Sequence, residues 1–136
     1  MNQILFSIPQ FPRGIHLITP HINTHLPTLP TEGIFHLFLQ HTSAGLTLNE
    51  NVDPTVRSDM KRSLDELIRE DISHYEHTDE GADDMPAHIK TTLVGNSVSI
   101  PITDRKLNLG TWQGIYLCEF RNNGGQRRLI GTIIPV

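Results

Sequence analysis

The stretch IFHLFLQH, residues 34–41, gives the clearest indication of the fold. In an extended chain, successive side chains point to opposite faces, so Phe35 and Leu37 lie on one face while Ile34 and Phe38 lie on the other. Both faces therefore carry large apolar side chains. This pattern predicts a strand in the middle of a sheet that is covered on both sides.

Other segments on either side of this strand also have regular patterns. The longer helix begins at the N-cap pair Asp53-Pro54, and its Asp65 and Arg69 are spaced for an exposed ion pair. A short helix is predicted to begin with Thr19 as its N-cap, and a third covers residues 87–94 and ends at Gly95. Further strands are predicted at residues 4–8, 15–18, 46–50, 98–102, 111–121 and 127–134.

Two connections have the composition of tight turns. The small residues 42–45 would join the strand 34–41 to the strand 46–50, and the sequence NNGG at 122–125 predicts a hairpin between the last two strands. Runs of strands with segregated helices indicate an α+β fold rather than alternating βαβ units. A chain of 136 residues has the size of one average domain, so we expect a single domain over residues 1–136.

Composition limits the classes of function. Eleven Lys and Arg against fifteen Asp and Glu give a net charge of −4 with neutral histidines. A mildly acidic chain argues against general nucleic-acid binding, which needs a basic face to displace counterions from phosphates. The only cysteine, Cys118, has no partner in the chain for a disulfide and is best interpreted as a small core residue.

The N-terminal sequence predicts neither secretion nor membrane insertion. No Lys or Arg precedes Arg13, and no apolar run is long enough for a signal peptide or a bilayer span. Together with the single cysteine, this indicates a cytoplasmic protein without membrane partners.

Eight histidines are present, and some lie beside acidic residues. His41 ends the first strand of the predicted hairpin at 34–50, and Glu50 ends the second. Such a hairpin would bring them together as an acid–base or ligand pair. The alternative is a turn stabilised by hydroxyl groups with an ordinary, hydrogen-bonded histidine.

The segment 74–88, HYEHTDEGADDMPAH, concentrates histidines and carboxylates where a plain connector is expected. Imidazole suits zinc or manganese and carboxylates suit magnesium, so the segment offers ligands for a divalent ion. The alternative is a solvated acidic loop. The candidate ligands are His77, Asp79, Glu80, Asp83, Asp84 and His88.

Two further groups of polar residues stand out. Gln113 and Glu119 share an otherwise apolar face of the strand 111–121, which indicates either a polar cavity or paired structural hydrogen bonds. Arg127 and Arg128 follow a glycine turn and could hold a phosphate or carboxylate, although exposed arginines there are usually solvated.

Three long motifs in order resemble the YjbQ-like family of small bacterial and archaeal proteins. They are HTSAGLTLNENVDPTVRSDM at 41–60, YEHTDEGADDMPAHIK at 75–90 and GTWQGIYLCEFRNNGGQRR at 110–128. The resemblance covers essentially the whole chain. Arg105 stands where the family signature has a glycine, and we expect this departure to alter a turn rather than the site.

The resemblance implies an α+β fold with a mixed β-sandwich and two or three helices. It also implies a homotrimer with a polar cleft near the subunit boundaries. Members of the family have been assigned a secondary thiamine-phosphate synthase activity, although most are uncharacterised.

The resemblance also assigns residues, to which the two arginines are added. The catalytic candidates are His41, Glu50, His88 and Gln113. The substrate-binding candidates are Asn51, Lys90, Glu119, Arg127 and Arg128, and the metal-binding candidates are His41, His77, Asp84 and His88.

Three functions are consistent with these residues. The first is a transferase that makes thiamine phosphate, with Mg²⁺ and basic side chains stabilising the departing pyrophosphate. The second is hydrolysis of a phosphorylated metabolite assisted by bound zinc or manganese. The third is a trimeric protein that binds a small anionic metabolite without catalysis.

Overall fold

The computed structural model describes residues 2–136, which form eight strands and three helices. The helices are α1 (Thr19–His25), α2 (Pro54–Leu67) and α3 (Asp84–Val94). The strands are β1 (Gln3–Ile8), β2 (Gly14–Leu17), β3 (Glu32–Leu39), β4 (Ala44–Glu50), β5 (Ser97–Thr103), β6 (Lys106–Leu107), β7 (Gln113–Glu119) and β8 (Arg127–Pro135).

The strands divide between two sheets. The larger has five strands in the order β1-β8-β3-β5-β6, and the smaller has three in the order β2-β7-β4. Every described strand pair is antiparallel, so the sheets are antiparallel rather than mixed. The expected α+β sandwich in a single domain is confirmed.

The chain forms three layers with two cores. Between the sheets, Phe35 and Leu37 of β3 pack with Leu46 of β4 and Leu117 of β7, all essentially inaccessible to solvent. A smaller core separates the three-stranded sheet from α2 and α3 and contains Tyr116, Cys118 and Ala87. The three-stranded sheet is therefore covered on both faces, which explains why β7 is so apolar.

β3 lies in the middle of its sheet, as predicted, but only one of its faces is covered. On the outer face, Ile34 is 42% exposed and Phe38 is 37% exposed. Leu5 of β1 and Ile134 of β8 are exposed on the same sheet. The prediction of cover on both sides is therefore not met within one chain.

Both predicted hairpins are wrong, because each connection crosses between the sheets. β3 belongs to the large sheet and β4 to the small one, and the same holds for β8 and β7. In the second crossing, a Cβ at Gly124 would overlap the side chains of Glu119 and Arg127, so a larger residue there would displace the two side chains.

The predictions of where the helices begin differ in accuracy. Asp53 caps α2 by accepting a hydrogen bond from the Thr55 amide at 2.9 Å, as predicted. Thr19 is not an N-cap, because its hydroxyl instead accepts the Ile115 amide hydrogen bond at 2.8 Å. α3 begins at Asp84, three residues before the predicted start.

The turn between β5 and β6 has an unusual backbone. Asp104 and Arg105 form this turn with positive φ angles of 51° and 64°.

The helices are short or polar. Within residues 2–136, no helix combines the length and apolar character that crossing a membrane requires.

Candidate functional site

Two histidines and an aspartate converge where α3 begins. Asp84 and His88 are separated by one helical turn, so their side chains lie on the same face of α3. His77 comes from the irregular segment that precedes the helix. The possible ligand atoms of His77, Asp84 and His88 all lie within 4.8 Å of one another.

Asp84 is the centre of this cluster. Its Oδ2 atom lies 2.6 Å from Nε2 of His77 and 3.2 Å from Nε2 of His88. The Asp84 side chain is 1% exposed, whereas the side chains of His77 and His88 are 49% and 30% exposed. The cluster therefore has a buried carboxylate at its base and opens to solvent on the side of the imidazoles.

Arg121 holds the carboxylate from behind. It donates to Oδ1 of Asp84 at 2.5 Å and to Oδ2 of Asp83 at 2.9 Å. Burial alone raises the pKa of Asp84, but the His77 hydrogen bond, the charge of His88 when its ring is protonated and the charge of Arg121 outweigh it and lower the pKa below its ordinary value. Asp84 is thus an anion at neutral pH.

The backbone fixes the orientation of His88. Its Nδ1 donates to the carbonyl oxygen of Thr42 at 2.8 Å, so the proton of a neutral ring is on Nδ1. The lone pair of Nε2 then faces the Asp84 carboxylate. Two acceptors in that arrangement need a cation between them, either a proton or a metal ion.

The donor set fits a transition-metal ion. Ligand atoms about 2.0–2.1 Å from a tetrahedral zinc are roughly 3.3 Å apart. The 3.2 Å separation of His88 from Asp84 matches this value, whereas the 2.6 Å separation of His77 from Asp84 is that of a hydrogen bond and would widen when an ion binds. Metal-binding histidines commonly donate their second N–H to a backbone carbonyl, and ligating carboxylates are themselves hydrogen-bonded. Thr42 and Arg121 supply these two supports.

His41 lies beside the cluster but does not contribute a ligand atom to it. Its Nε2 accepts the backbone amide hydrogen bond of Arg128 at 2.7 Å, which occupies the lone pair that a metal would need. Burial, followed by the positive charges of Arg127 and Arg128, lowers the pKa of His41. His41 is therefore a neutral residue that fixes the start of β8.

The proposed phosphate-binding side chains are mostly paired with carboxylates. Arg127 forms a buried two-point ion pair with Glu119, with Nε 2.8 Å from Oε1. Lys90 is 1% exposed and donates to Asp65 at 2.6 Å. Of these candidates, only Arg128 is exposed. Of the two alternatives that the sequence left open for Glu119, a polar cavity or a structural pairing, the structure shows the pairing.

Glu50, Asn51 and Gln113 lie at the opposite end of the small sheet. Glu50 pairs in register with Gln113, whereas Ala44 at the other end of β4 pairs with Glu119. Seven residues of strand separate the two ends by about 20 Å. The predicted proximity of His41 and Glu50 is therefore wrong, because the hairpin that would produce it does not form.

Polar atoms at this second end have few partners. Gln113 accepts the Gly110 amide hydrogen bond at 2.8 Å, and the Asn51 amide donates to the Gln113 carbonyl at 3.2 Å. Among residues 2–136, buried atoms without a hydrogen-bond partner include Oε2 of Glu50, Oδ1 of Asn51 and Nε of Arg57. This end is polar but separate from the histidine cluster.

Sequence reasoning missed Arg121 and the structural role of Asp83. Arg121 belongs to the third sequence motif, but it lies just beyond the end of β7, where an arginine usually points into solvent.

Cys118 is buried as expected, and burial raises its thiol pKa to about 12, so it carries no thiolate near neutral pH.

Comparisons with known proteins agree with this fold. The family model for the UPF0047 protein YjbQ-like family matches residues 5–136. The UPF0047 protein YjbQ of Salmonella typhimurium is 50% identical over 133 residues, with 96% of each chain covered.

Two crystal structures have the same architecture. The conserved hypothetical protein TT1486 from Thermus thermophilus matches with a TM-score of 0.83 and 30% identity, covering 96% of this chain and 99% of that one. An uncharacterized conserved protein from Clostridium acetobutylicum matches with a TM-score of 0.80 and 34% identity, again covering 96% of this chain and 99% of that one. The chain therefore belongs to the UPF0047 protein YjbQ-like family.

Proposed function

We propose that the chain is a metal-dependent hydrolase of a small phosphorylated metabolite, with His77, Asp84 and His88 as ligands of a divalent ion. The observation that carries this proposal is the convergence of two imidazole nitrogens on a buried carboxylate. Two imidazoles favour zinc over magnesium, which prefers oxygen ligands.

The residues of the chain have distinct tasks in this proposal. Thr42 orients His88, and Arg121 keeps Asp84 ionised and in place. When bound, the ion supplies Lewis acidity and lowers the pKa of a water molecule that it polarises. His77, Asp84 and His88 would hold the ion as three protein ligands, the number found in catalytic zinc sites that also bind a water molecule. The exposed side of the imidazoles is where a substrate would enter.

Arg128 is the residue that we assign to substrate binding. Its backbone is held by His41, while its side chain is exposed. The ion pairs of Lys90 and Arg127 commit those side chains to Asp65 and Glu119. A phosphate group on the substrate would pair with the Arg128 guanidinium.

The test combines metal analysis with turnover. We expect protein dialysed against metal-free buffer to retain stoichiometric zinc and to hydrolyse p-nitrophenyl phosphate or a metabolite from a phosphomonoester panel. His77→Ala and His88→Ala should lose both properties, whereas the control His74→Ala should keep both. Full zinc content and turnover in His88→Ala would overturn the proposal. Retained zinc without turnover on any tested ester would indicate a binding protein.

Thiamine-phosphate synthesis is the second candidate. It is favoured by the exposed guanidinium of Arg128, which is unpaired within residues 2–136 and whose backbone amide is held by His41. A cationic environment stabilises a departing pyrophosphate. The assay couples the pyrimidine pyrophosphate to the thiazole phosphate with Mg²⁺. Formation of thiamine phosphate that is lost in Arg128→Gln would support this candidate over hydrolysis.

We also propose that copies of the chain assemble as a homotrimer. The support is the exposed apolar outer face of the five-stranded sheet, where Ile34, Phe38 and Ile134 remain accessible in the single chain. Exposed large apolar side chains grouped on one face of a sheet are typical of association sites, although His36 and Thr132 lie between them here.

A further inference from the structure

A second concave region lies far from the histidine cluster, between α1 and the β5–β6 turn. This cleft has a volume of about 480 Å³, which is within the range of roughly 300–1,000 Å³ typical of small-molecule sites. Its apolar walls come from Leu26, Leu29, Leu107 and Leu109. Its polar rim comes from Thr19, Asn23, Thr28, Arg105 and Lys106.

The charge of the cleft has a single sign. Of the described residues that line it, Arg105 and Lys106 are basic and none is acidic. Within residues 2–136, neither Arg105 nor Lys106 forms an ion pair. The ion pairs there involve other cations, such as Arg13, Lys61 and Arg121. Arg105 and Lys106 outnumber the single carboxylate of the same turn, Asp104, so the local charge is positive in a chain with a net charge of −4 and attracts anions.

The backbone at Arg105 supplies an independent observation. Arg105 has a φ of 64°, in the left-handed region where glycine carries no penalty and a long side chain does. The two-residue turn needs positive φ at both central positions, which Asn-Gly would satisfy at lower cost. Residues held in such conformations are concentrated at ligand-binding positions, and here the strained residue lines the cleft.

We propose that this cleft binds a small amphipathic organic anion, a carboxylate or phosphate ester with an apolar tail. The leucines would bury the tail, and Arg105 and Lys106 would pair with the acid group. Thr28 and Asn23, which also line the cleft, would add hydrogen bonds from a hydroxyl and an amide. The cleft is separate from the proposed metal centre, so this site stands or falls independently of the proposed hydrolase.

Competition binding tests the proposal. The probe is 1-anilinonaphthalene-8-sulfonate, an aromatic sulfonate that fluoresces when it is bound in an apolar site. We expect saturable binding to the intact protein, with displacement by octanoate and none by octanol at equal concentration. Amide signals of Asn23, Thr28 and Leu107 should shift first when octanoate is titrated into labelled protein.

Matched variants separate the cleft from other surfaces. The double variant Arg105→Gly/Lys106→Gln should weaken probe binding at least tenfold and melt no lower than the parent protein, because glycine suits the turn. Arg62→Gln/Arg69→Gln removes the same charge from the exposed face of α2 and the residues just after it, and should leave affinity unchanged. Equal affinity in both double variants, displacement by octanol as well as octanoate, or no saturable binding would each overturn the proposal.

Discussion

Single side chains determine the chemistry of the histidine cluster, and Arg121 is the most informative of them. It touches no proposed substrate, yet it bridges Asp83 and Asp84 and anchors the carboxylate that both imidazoles approach. Because Arg121 acts through Asp84, its replacement should change the affinity of the cluster for a metal ion.

We predict that Arg121→Lys weakens zinc binding by about 10–100-fold, the usual effect of losing a residue that supports a metal ligand. Lysine keeps the charge but cannot make both hydrogen bonds with the geometry of a guanidinium. Competition with a chromogenic chelator measures the zinc affinity. Arg62→Lys on α2 is the control. An unchanged affinity in Arg121→Lys would show that Asp84 needs no anchor.

At the scale of elements, the two long helices are joined by an ion pair between a buried lysine and a partly exposed aspartate. Lys90 of α3 is almost completely buried and donates to Asp65 of α2 at 2.6 Å. Asp65 also accepts from Lys61 at 2.9 Å, so the expected pair with Arg69 is replaced by this network and Arg69 pairs with Asp71 instead. Removing Asp65 would leave the Lys90 ammonium buried without a partner.

We predict that Asp65→Ala lowers the free energy of unfolding by about 3 kcal/mol or more, the usual cost of breaking a buried pair. Asp59→Ala on the exposed side of α2 should change it by about 0.5 kcal/mol or less. Urea denaturation followed by circular dichroism measures both. A loss below about 1 kcal/mol in Asp65→Ala, the level of an exposed pair, would contradict this interpretation of the contact.

The same pair predicts a pH dependence. Burial raises the pKa of Asp65, but the hydrogen bonds from Lys90 and Lys61 and the nearby positive charges outweigh burial and lower it. A carboxyl group whose folded pKa is depressed contributes stability that is present above its unfolded pKa, about 3.9, and is lost as the pH falls through the folded value. Asp65→Asn should therefore flatten the acid side of the stability profile, and an unchanged slope would contradict this.

Local patterns predicted elements better than connections. The central position of β3 and the Asp53 cap follow from side-chain alternation and capping chemistry, which act within a few residues. Both hairpin predictions failed because turn composition does not determine whether the next strand joins the same sheet or the facing one. The His41–Glu50 pair depended on such a hairpin and failed with it.

The candidate site was predictable in part. The concentration of His and Asp between residues 74 and 88 indicated His77, Asp84 and His88, and the helix geometry of α3 brings the last two together. Arg121 and the Thr42 carbonyl come from distant segments, 37 and 46 residues away in the two contacts. Such long-range contacts depend on how the chain crosses between the sheets after β7 and on the course of the loop after β3. Local sequence patterns specify neither.

At the scale of the whole molecule, the five-stranded sheet has an apolar inner face and an outer face on which exposed apolar side chains lie among polar ones. The outer face exposes side chains from β1, β3 and β8. Since a solvated face of an antiparallel sheet usually carries polar residues, the large apolar side chains on this face support the proposed association with further copies.

We predict that light scattering coupled to gel filtration gives the mass of a trimer. Phe38→Lys places a charge in the apolar face and should shift the protein to monomers. Asn108→Lys adds the same charge at a position outside that face and should leave the trimer intact. A monomeric parent protein, or a trimer unaffected by Phe38→Lys, would contradict this use of the outer face.

The central claim is that His77, Asp84 and His88 bind a divalent metal ion. Anomalous diffraction from crystals grown with zinc, recorded above and below the zinc absorption edge, tests it most directly. We predict an edge-dependent peak between Nε2 of His77, Nε2 of His88 and Oδ2 of Asp84, roughly 2.0–2.2 Å from each. Ordered imidazoles hydrogen-bonded to Asp84 with no anomalous peak between them would contradict the claim.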